Sequence, residues 1–265
     1  MSIVNVRAII NPGDLFAALP ALKQYREMTK NHVRLLLWLN RKATYFEGAV
    51  HPTVDKDGYQ VTMNETVYEA VRPLLMQQPY IADVQPWNGE EYKFALDEHL
   101  HFNMNKWIVN LSRLFFYIFP DLACDLSKPW LTVPYSKKMH IAKGEILVAR
   151  TQRYLNPNIS YHFLKDYDNV MFVGLKQEWE IFCKEYNLDI PWLQTETFLE
   201  LAQAIQQAKF LVSNQTSIFW LAEAMKTPRI LEVNHTCPNV HVTGANGYDF
   251  MYQAGLDYYF KLLNK

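Results

Sequence analysis

The stretch Ile3-Val4-Asn5-Val6-Arg7-Ala8-Ile9-Ile10-Asn11-Pro12-Gly13-Asp14-Leu15-Phe16-Ala17-Ala18-Leu19-Pro20-Ala21-Leu22 decides the fold class. Ile3 to Ile10 is a β-rich run, and Asn11-Pro12-Gly13-Asp14 breaks it. From Leu15 to about Lys30 a helical pattern follows, with Leu15, Leu19, Leu22 and Tyr25 recurring on one face. A strand feeding a helix through a short break is the first half of a βαβ unit.

Outward from there the alternation continues. Val33 to Leu39 is nearly all apolar, as a parallel strand covered on both faces requires. Glu65 to Gln77 reads as a helix, Ile81 to Val84 as a short strand, and Ile108 to Phe119 as a helix ended by Pro120. Residues 40–64 and 85–105 are less regular and suit substrate loops or a small hairpin; Val50 to Met63 alternates around an Asp57-Gly58 turn. Lys128 to Lys143, rich in Pro and Lys, reads as a linker. A second series then begins, with strands at Ile146–Ala149, Val170–Val173, Phe210–Ser213 and Arg229–Val233. Helices are expected at Tyr161–Lys165, Gln177–Tyr186, Thr197–Gln207, Ser217–Lys226 and Tyr248–Leu263, with Thr197 as an N-cap and Glu200 three residues on. Two such series imply an α/β chain with two Rossmann-like halves facing each other across a cleft. The expected division is 1–136, 137–247, and a terminal helix 248–265 returning to the N-terminal half.

Composition narrows the classes. Hydrophobic residues at 49% and charged residues at 20% supply an ordinary globular core. A net charge of −1 gives no global positive field to attract nucleic acid. Three widely spaced cysteines, Cys124, Cys183 and Cys237, form no disulfide framework. The start, Met1-Ser2-Ile3-Val4, lacks the pattern of a signal peptide, and a cytoplasmic protein is expected. No run of 18 apolar residues occurs; Leu111 to Phe119 is too short to span and leaves docking at a membrane surface open.

Four segments can carry chemistry. Gly13 and Asp14 stand at the carboxyl end of the first strand, where open α/β sheets bind ligands. Asp14 suits a general base or, alternatively, a helix cap. Asn214-Gln215-Thr216-Ser217 lies between a strand and a helix, where free N–H groups make an anion site or an ordinary N-cap. Arg150 and Arg153 end the second half's first strand and suit phosphate; with Lys137, Lys138 and Lys143 they form the most basic run, which also reads as a solvated face. Glu232 ends a strand and suits two ribose hydroxyls or, equally, a salt bridge with Arg229 or another basic neighbour. Weaker patterns are Asp55-Lys56-Asp57, better read as a turn before Gly58; His99-Leu100-His101, with both rings on one strand face; and His235, Cys237 and His241.

Two of these segments resemble a known family. Gly13-Asp14-Leu15-Phe16-Ala17-Ala18-Leu19-Pro20-Ala21-Leu22 is similar to the "GD…LPAL" opening of the heptosyltransferase-like glycosyltransferases of family 9. Phe198-Leu199-Glu200-Leu201-Ala202, Val212 to Ser217, Leu221 to Ala224 and Pro228 resemble that family's donor half, a "LA" helix, a strand and a "D-[ST]-G" turn. Gln215 stands where that turn has Asp, Ser217 where it has Gly, and Trp220 where His often follows. The resemblance implies a GT-B fold and an inverting transferase that needs neither metal nor cofactor. Its nucleotide-sugar co-substrate would bind residues 137–247, and a saccharide or glycolipid acceptor would bind residues 1–136. Asp14 would be the base, with Gly13, Arg150, Arg153, Asn214, Gln215, Thr216, Ser217 and Glu232 at the donor. A hydroxymethylated DNA base as acceptor, a sugar-nucleotide epimerase and a non-catalytic nucleotide-sugar-binding protein are the alternatives.

Overall fold

The computed structural model describes residues 2–43, 45, 51–119, 121–137, 139 and 141–265. Val50, Pro120 and Lys138, which entered the sequence reading, lie outside these described residues. The chain divides into two compact units: Met1–Leu126 with Trp130–Thr132 and Thr197–Leu199, and Ser127–Pro129 with Val133–Glu196 and Glu200–Lys265.

In the N-terminal unit the expected strand-helix start forms as β1 (Ile3–Ala8) and α1 (Pro12–Thr29). There follow β2 (His32–Leu37), α2 (Glu65–Leu75), β3 (Ile81–Pro86) and the two-residue β4 (Phe94–Ala95). A 3-10 turn, Leu96–His101, and the short α3 (Leu111–Phe116) complete it. The strands are all parallel in the order β3-β2-β1-β4, with Val6 beside Leu35 on one side and Phe94 on the other. The chain α1 would break at Pro20, which has no N–H for the carbonyl of Phe16. That carbonyl is satisfied from outside the helix: the indole Nε1 of Trp130 donates to it at 3.2 Å. Trp130→Phe keeps the ring but leaves a buried acceptor bare, and is expected to cost about 1–3 kcal/mol, read from the urea midpoint.

The same contacts correct the expected linker. Tyr80 donates its hydroxyl to the Trp130 carbonyl at 2.8 Å, and the Gln78 amide receives Thr132 N–H at 2.9 Å. Residues 130–132 are therefore stitched to the N-terminal unit, and Phe198 follows them by an edge-to-face contact with Phe16, centroids 5.2 Å apart. The boundary is accordingly not a single point at 136.

The C-terminal unit contains β5 (Ile146–Ala149), a 3-10 turn (His162–Asp166), β6 (Val170–Val173) and α4 (Lys176–Tyr186). Next come β7 (Trp192–Leu193), α5 (Phe198–Gln207, in this unit from Glu200 on), β8 (Phe210–Asn214), α6 (Ser217–Met225) and β9 (Arg229–Glu232). The expected terminal helix is in fact β10 (Gly247–Phe250) followed by α7 (Gln253–Leu263). Tyr248 to Phe250 extend because they pair in parallel with Ile230 to Glu232. The helix packs on this unit's own core, where Phe260 meets Phe210 edge-on at 5.1 Å. β5, β8 and β9 are buried along their whole length, as parallel strands covered on both faces must be. Among the described residues no helix is long and apolar enough to cross a membrane.

Candidate functional site

The C-terminal sheet runs β10-β9-β8-β5-β6-β7. Its chain order turns back between β5, the first strand, and β8, the fourth, and this switch point is where doubly wound sheets bind ligands. Arg150 to Arg153 follow β5, and Asn214 to Ser217 run from the end of β8 to the start of α6. The sequence reading and the topology thus meet at one place.

Close up, much of that place is fastened to itself. Asn214 donates its amide to the carbonyls of Thr151 at 3.0 Å and Arg153 at 2.8 Å, and receives Thr151 N–H at 3.1 Å. It holds the β5 loop open rather than facing outward. Gln215 does the same for the loop after β9. Its amide donates to the Cys237 carbonyl at 2.7 Å and to Asn239 at 3.1 Å, and its oxygen receives Asn234 N–H at 2.7 Å. Thr216 is the N-cap of α6, accepting from Ile218 N–H at 3.1 Å and Phe219 N–H at 3.2 Å. Among the described residues no acceptor is seen for the Ser217 N–H at the helix start, and Ser217 is only half-buried.

Arg150 and Glu232 find each other, so the basic neighbour paired with Glu232 is Arg150 and not Arg229. Their side chains are 2% and 0% exposed, and Arg150 Nε and Nη2 donate to Glu232 at 2.8 and 2.9 Å. Arg150 also donates to the Asn156 carbonyl at 3.0 Å and to the Tyr186 hydroxyl. Glu232 receives the Tyr161 hydroxyl at 2.8 Å and the Asn156 N–H. Every guanidinium nitrogen and both carboxylate oxygens are engaged within the unit. Burial works against the guanidinium's charge, yet the hydrogen bonds and charge of Glu232 carry its pKa above the ordinary arginine value. Arg229, at the start of β9, instead pairs with Glu223 of α6, and both are buried.

Arg153 remains half-buried in the β5 loop, and the residue its charge acts on is Glu178. Glu178 is the third residue of α4 and accepts the Leu175 N–H at 3.3 Å. Burial raises its carboxyl above the usual range, and the Leu175 N–H and the Arg153 charge oppose that rise. Gly174 precedes it with φ +130°, and a Cβ there would lie 3.2 Å from the Glu178 carboxylate and 3.3 Å from Ile218. The sequence reading missed Glu178. Its signal was a glycine just after a strand and an acid four residues on, at the start of the next helix.

In the N-terminal unit the order β3-β2-β1-β4 places the reversal between β1 and β4. α1 begins at Pro12, with Asn11 as an N-cap whose side chain makes no cap bond. Asn11 instead receives the Tyr45 hydroxyl at 2.8 Å. Gly13 is therefore the second residue of a helix and not the hinge of a tight turn, and Asp14 is the third and not the cap. From there Asp14 complements the positive end of the helix. His99 and His101 lie on a 3-10 turn, where residues two apart face different ways. His99 is 3% exposed, its Nδ1 2.7 Å from the Leu96 carbonyl and its ring 4.6 Å from Phe115, while His101 points to solvent. Asp14 is the strongest charge acting on the His99 ring.

The remaining motifs are local. Asp55 of the Asp55-Lys56-Asp57 pattern accepts the N–H groups of Asp57 and Tyr59, both at 2.9 Å, which closes a turn around Gly58 at φ +82°. Burial pushes the Cys237 thiol up to about 11, the wrong direction for a thiolate ligand. Among the described residues no three His, Cys, Asp or Glu side chains gather where a metal ion could sit.

No family model and no curated protein matches the sequence. Solved structures match it along its whole length. A glycosyl transferase family 9 protein from Veillonella parvula superposes with a TM-score of 0.62 at 8% identity, covering 100% of this chain and 89% of that one. E. coli ADP-heptose LPS heptosyltransferase II gives 0.61 at 12%, covering 100% and 98%. E. coli heptosyltransferase WaaC with ADP gives 0.61 at 12%, covering 100% of both chains. The chain shares the GT-B fold of these family 9 glycosyltransferases.

Proposed function

We propose that the protein is a glycosyltransferase that moves a sugar, with inversion, from a nucleotide-diphosphate donor to the hydroxyl of a saccharide or glycolipid. The observation that carries the reading is the C-terminal switch point. There Arg153, the Ser217 N–H at the start of α6, and Glu178 stand at the ends of β5, β8 and β6 in a sheet wound as nucleotide-binding sheets are. The shared fold with family 9 transferases supports it.

In this reading Arg153 and the α6 N-terminus offset the charge that develops on the departing diphosphate. The carboxylate role at the ribose passes to Glu178, because Glu232 is held by Arg150. Asn214, Gln215 and Thr216 shape the loops that present these groups. On the N-terminal unit, Asp14 takes the acceptor proton as the hydroxyl oxygen bonds to the anomeric carbon. The bond from that carbon to the diphosphate oxygen breaks, and the nucleoside diphosphate leaves with the electron pair. No metal and no cofactor take part, and the protein works in the cytoplasm.

A thermal-shift screen against nucleotide sugars tests the donor site: one strong hit is expected, and a flat response across the panel would overturn it. Arg153→Ala is expected to weaken binding of that donor about tenfold by calorimetry, the scale of one charge-assisted contact. One observation favours a second reading, a nucleotide-sugar-binding protein without transferase activity. Gln215 occupies the Asp position of the family's donor turn and its amide is closed on its own loop. Donor binding with no nucleotide release under any acceptor would select it.

A further inference from the structure

The apolar run Leu111 to Phe119, read in sequence as open to a membrane surface, is turned inward: Leu114, Phe115, Phe116, Ile118 and Phe119 are buried in the N-terminal unit. The exposed apolar side chains lie beside it. Leu100, Trp107 and Ile108 are each about half exposed, and Tyr117 is more exposed still. They stand on the segment that leaves β4 and at the end of α3. Local contacts hold neighbours in this patch together. Lys106 Nζ donates to the Leu100 carbonyl at 2.7 Å, Trp107 and Ile108 follow directly, and Phe102 meets Tyr117 edge-on with centroids 6.1 Å apart. Arg113 is exposed four residues before Tyr117 and so lies on the same side of α3.

We propose that this patch docks the N-terminal unit onto the surface of a bilayer that carries anionic lipid. Charge gives the sign of the partner. No Asp or Glu occurs between Glu98 and Asp121, while Lys106, Arg113 and the exposed imidazole of His101 fall inside that interval. Basic side chains beside a bilayer are drawn to anionic head groups. Residue type gives the depth. Trp and Tyr settle at the level of the head groups, where the ring is dry and its N–H or O–H is wet, and Ile and Leu reach the acyl boundary. Two other occupants fit worse. In a symmetric contact with a second copy, the patch would face one of its own sign, with no carboxylate to answer Lys106 or Arg113. An acidic protein would answer the cations but would need apolar partners placed against Leu100 and Ile108, which a bilayer supplies at any position.

The docking does not depend on the transferase reading. Joined to that reading, it selects the glycolipid and not a free saccharide as acceptor. β1 and β4 run in parallel with Arg7 beside Ala95. α1, which follows β1, and the patch segment, which follows β4, therefore leave the sheet at the same edge. That is the edge at which open α/β sheets take their ligands.

The test uses the full chain, sucrose-loaded vesicles and no sugar nucleotide, so its failure leaves the transferase reading standing. The protein is expected to sediment with vesicles of phosphatidylcholine and phosphatidylglycerol, less with phosphatidylcholine alone, and less as salt rises. Trp107→Ser with Ile108→Ser is expected to lower the vesicle partition coefficient about tenfold or more. Arg113→Gln is expected to lower it about fivefold, and only on the anionic vesicles. Tryptophan emission should shift to the blue on binding, and Trp107→Phe should lose that shift while still sedimenting. If the double variant does not fold, Ile108→Ser alone, which should also weaken binding, and the lipid series on the unaltered chain carry the test. No binding to anionic vesicles, or binding that Ile108→Ser and Arg113→Gln leave unchanged, would overturn the proposal. Self-association in sedimentation equilibrium that the double variant abolishes would overturn it too, and would assign the patch to a second copy of the chain.

Discussion

Replacing Glu232 with glutamine is expected to destabilise the C-terminal unit by about 3–5 kcal/mol, because it leaves the buried Arg150 guanidinium charged with only the exposed Glu185, 3.7 Å away, as counter-ion. The amide matches the carboxylate in shape, so the loss is electrostatic and not steric. Tyr161 and the Asn156 N–H donate to Glu232 and would meet an amide with one oxygen in place of two. The cost is read from a urea transition followed by tryptophan fluorescence, Trp179 and Trp192 being in this unit. The control is the double substitution Arg150→Met with Glu232→Leu. Removing both charges should recover much of the loss, since a buried pair in apolar surroundings contributes little net stability beyond what its partners' burial costs. A single substitution costing less than about 1 kcal/mol would mean that water reaches the pair and that one of its members is free to meet a ligand. The prediction therefore also decides whether Arg150 and Glu232 belong to the frame of the site or to its surface.

That pair shows where reading along the chain stops. Arg150 and Glu232 were both legible as strand-end charges, but they are 82 residues apart, and nothing local says that one is the other's partner. The strand-helix alternation was legible because period and breakers are local, and β1, α1, β8 and α6 formed near their expected places. β4 and β7 are two residues each and carry no period of their own; they are strands only because a neighbour supplies hydrogen bonds. β10 was read as helix for the same reason: Gly247 to Phe250 are extended by pairing with β9, not by propensity. In the candidate site, the positions after β5 and β8 were visible as small polar and basic residues, while their orientation was not. Asn214 and Gln215 look outward in sequence and are turned inward by loops that end far away in the chain. Glu178 was passed over, and His99 was read only as half of a histidine pair, because each acquires the charge that acts on it, Arg153 or Asp14, only through the strand order.

Asp14→Asn is expected to lower the transfer rate by about 100- to 10,000-fold, the usual contribution of a positioned general base, while leaving donor affinity unchanged. The split follows from where the residue stands. Asp14 is the third residue of α1 in the N-terminal unit, whereas Arg153, Glu178 and the start of α6 belong to the C-terminal unit. Asparagine still accepts at the first turn of a helix, so the substitution removes a proton acceptor and little structure. The fold itself should lose only the charge–dipole contribution of about 0.3–1 kcal/mol. Calorimetry with the donor found by thermal shift measures the first quantity, and release of nucleoside diphosphate in the presence of acceptor measures the second. Equal loss of both would place Asp14 in donor binding, and an unchanged rate would remove it from the chemistry. The pH dependence adds a separate sign. A buried histidine held below its ordinary pKa favours the fold when neutral, so His99 contributes stability at neutral pH that is lost as pH falls from the ordinary value toward the folded one. Because the Asp14 charge supports the protonated ring, Asp14→Asn should deepen that loss on the acid side while costing only the charge–dipole contribution at alkaline pH. A variant whose rate collapses and whose acid sensitivity grows together has lost one carboxylate with both effects, which a substitution acting through misfolding would not separate from a general fall in stability at every pH.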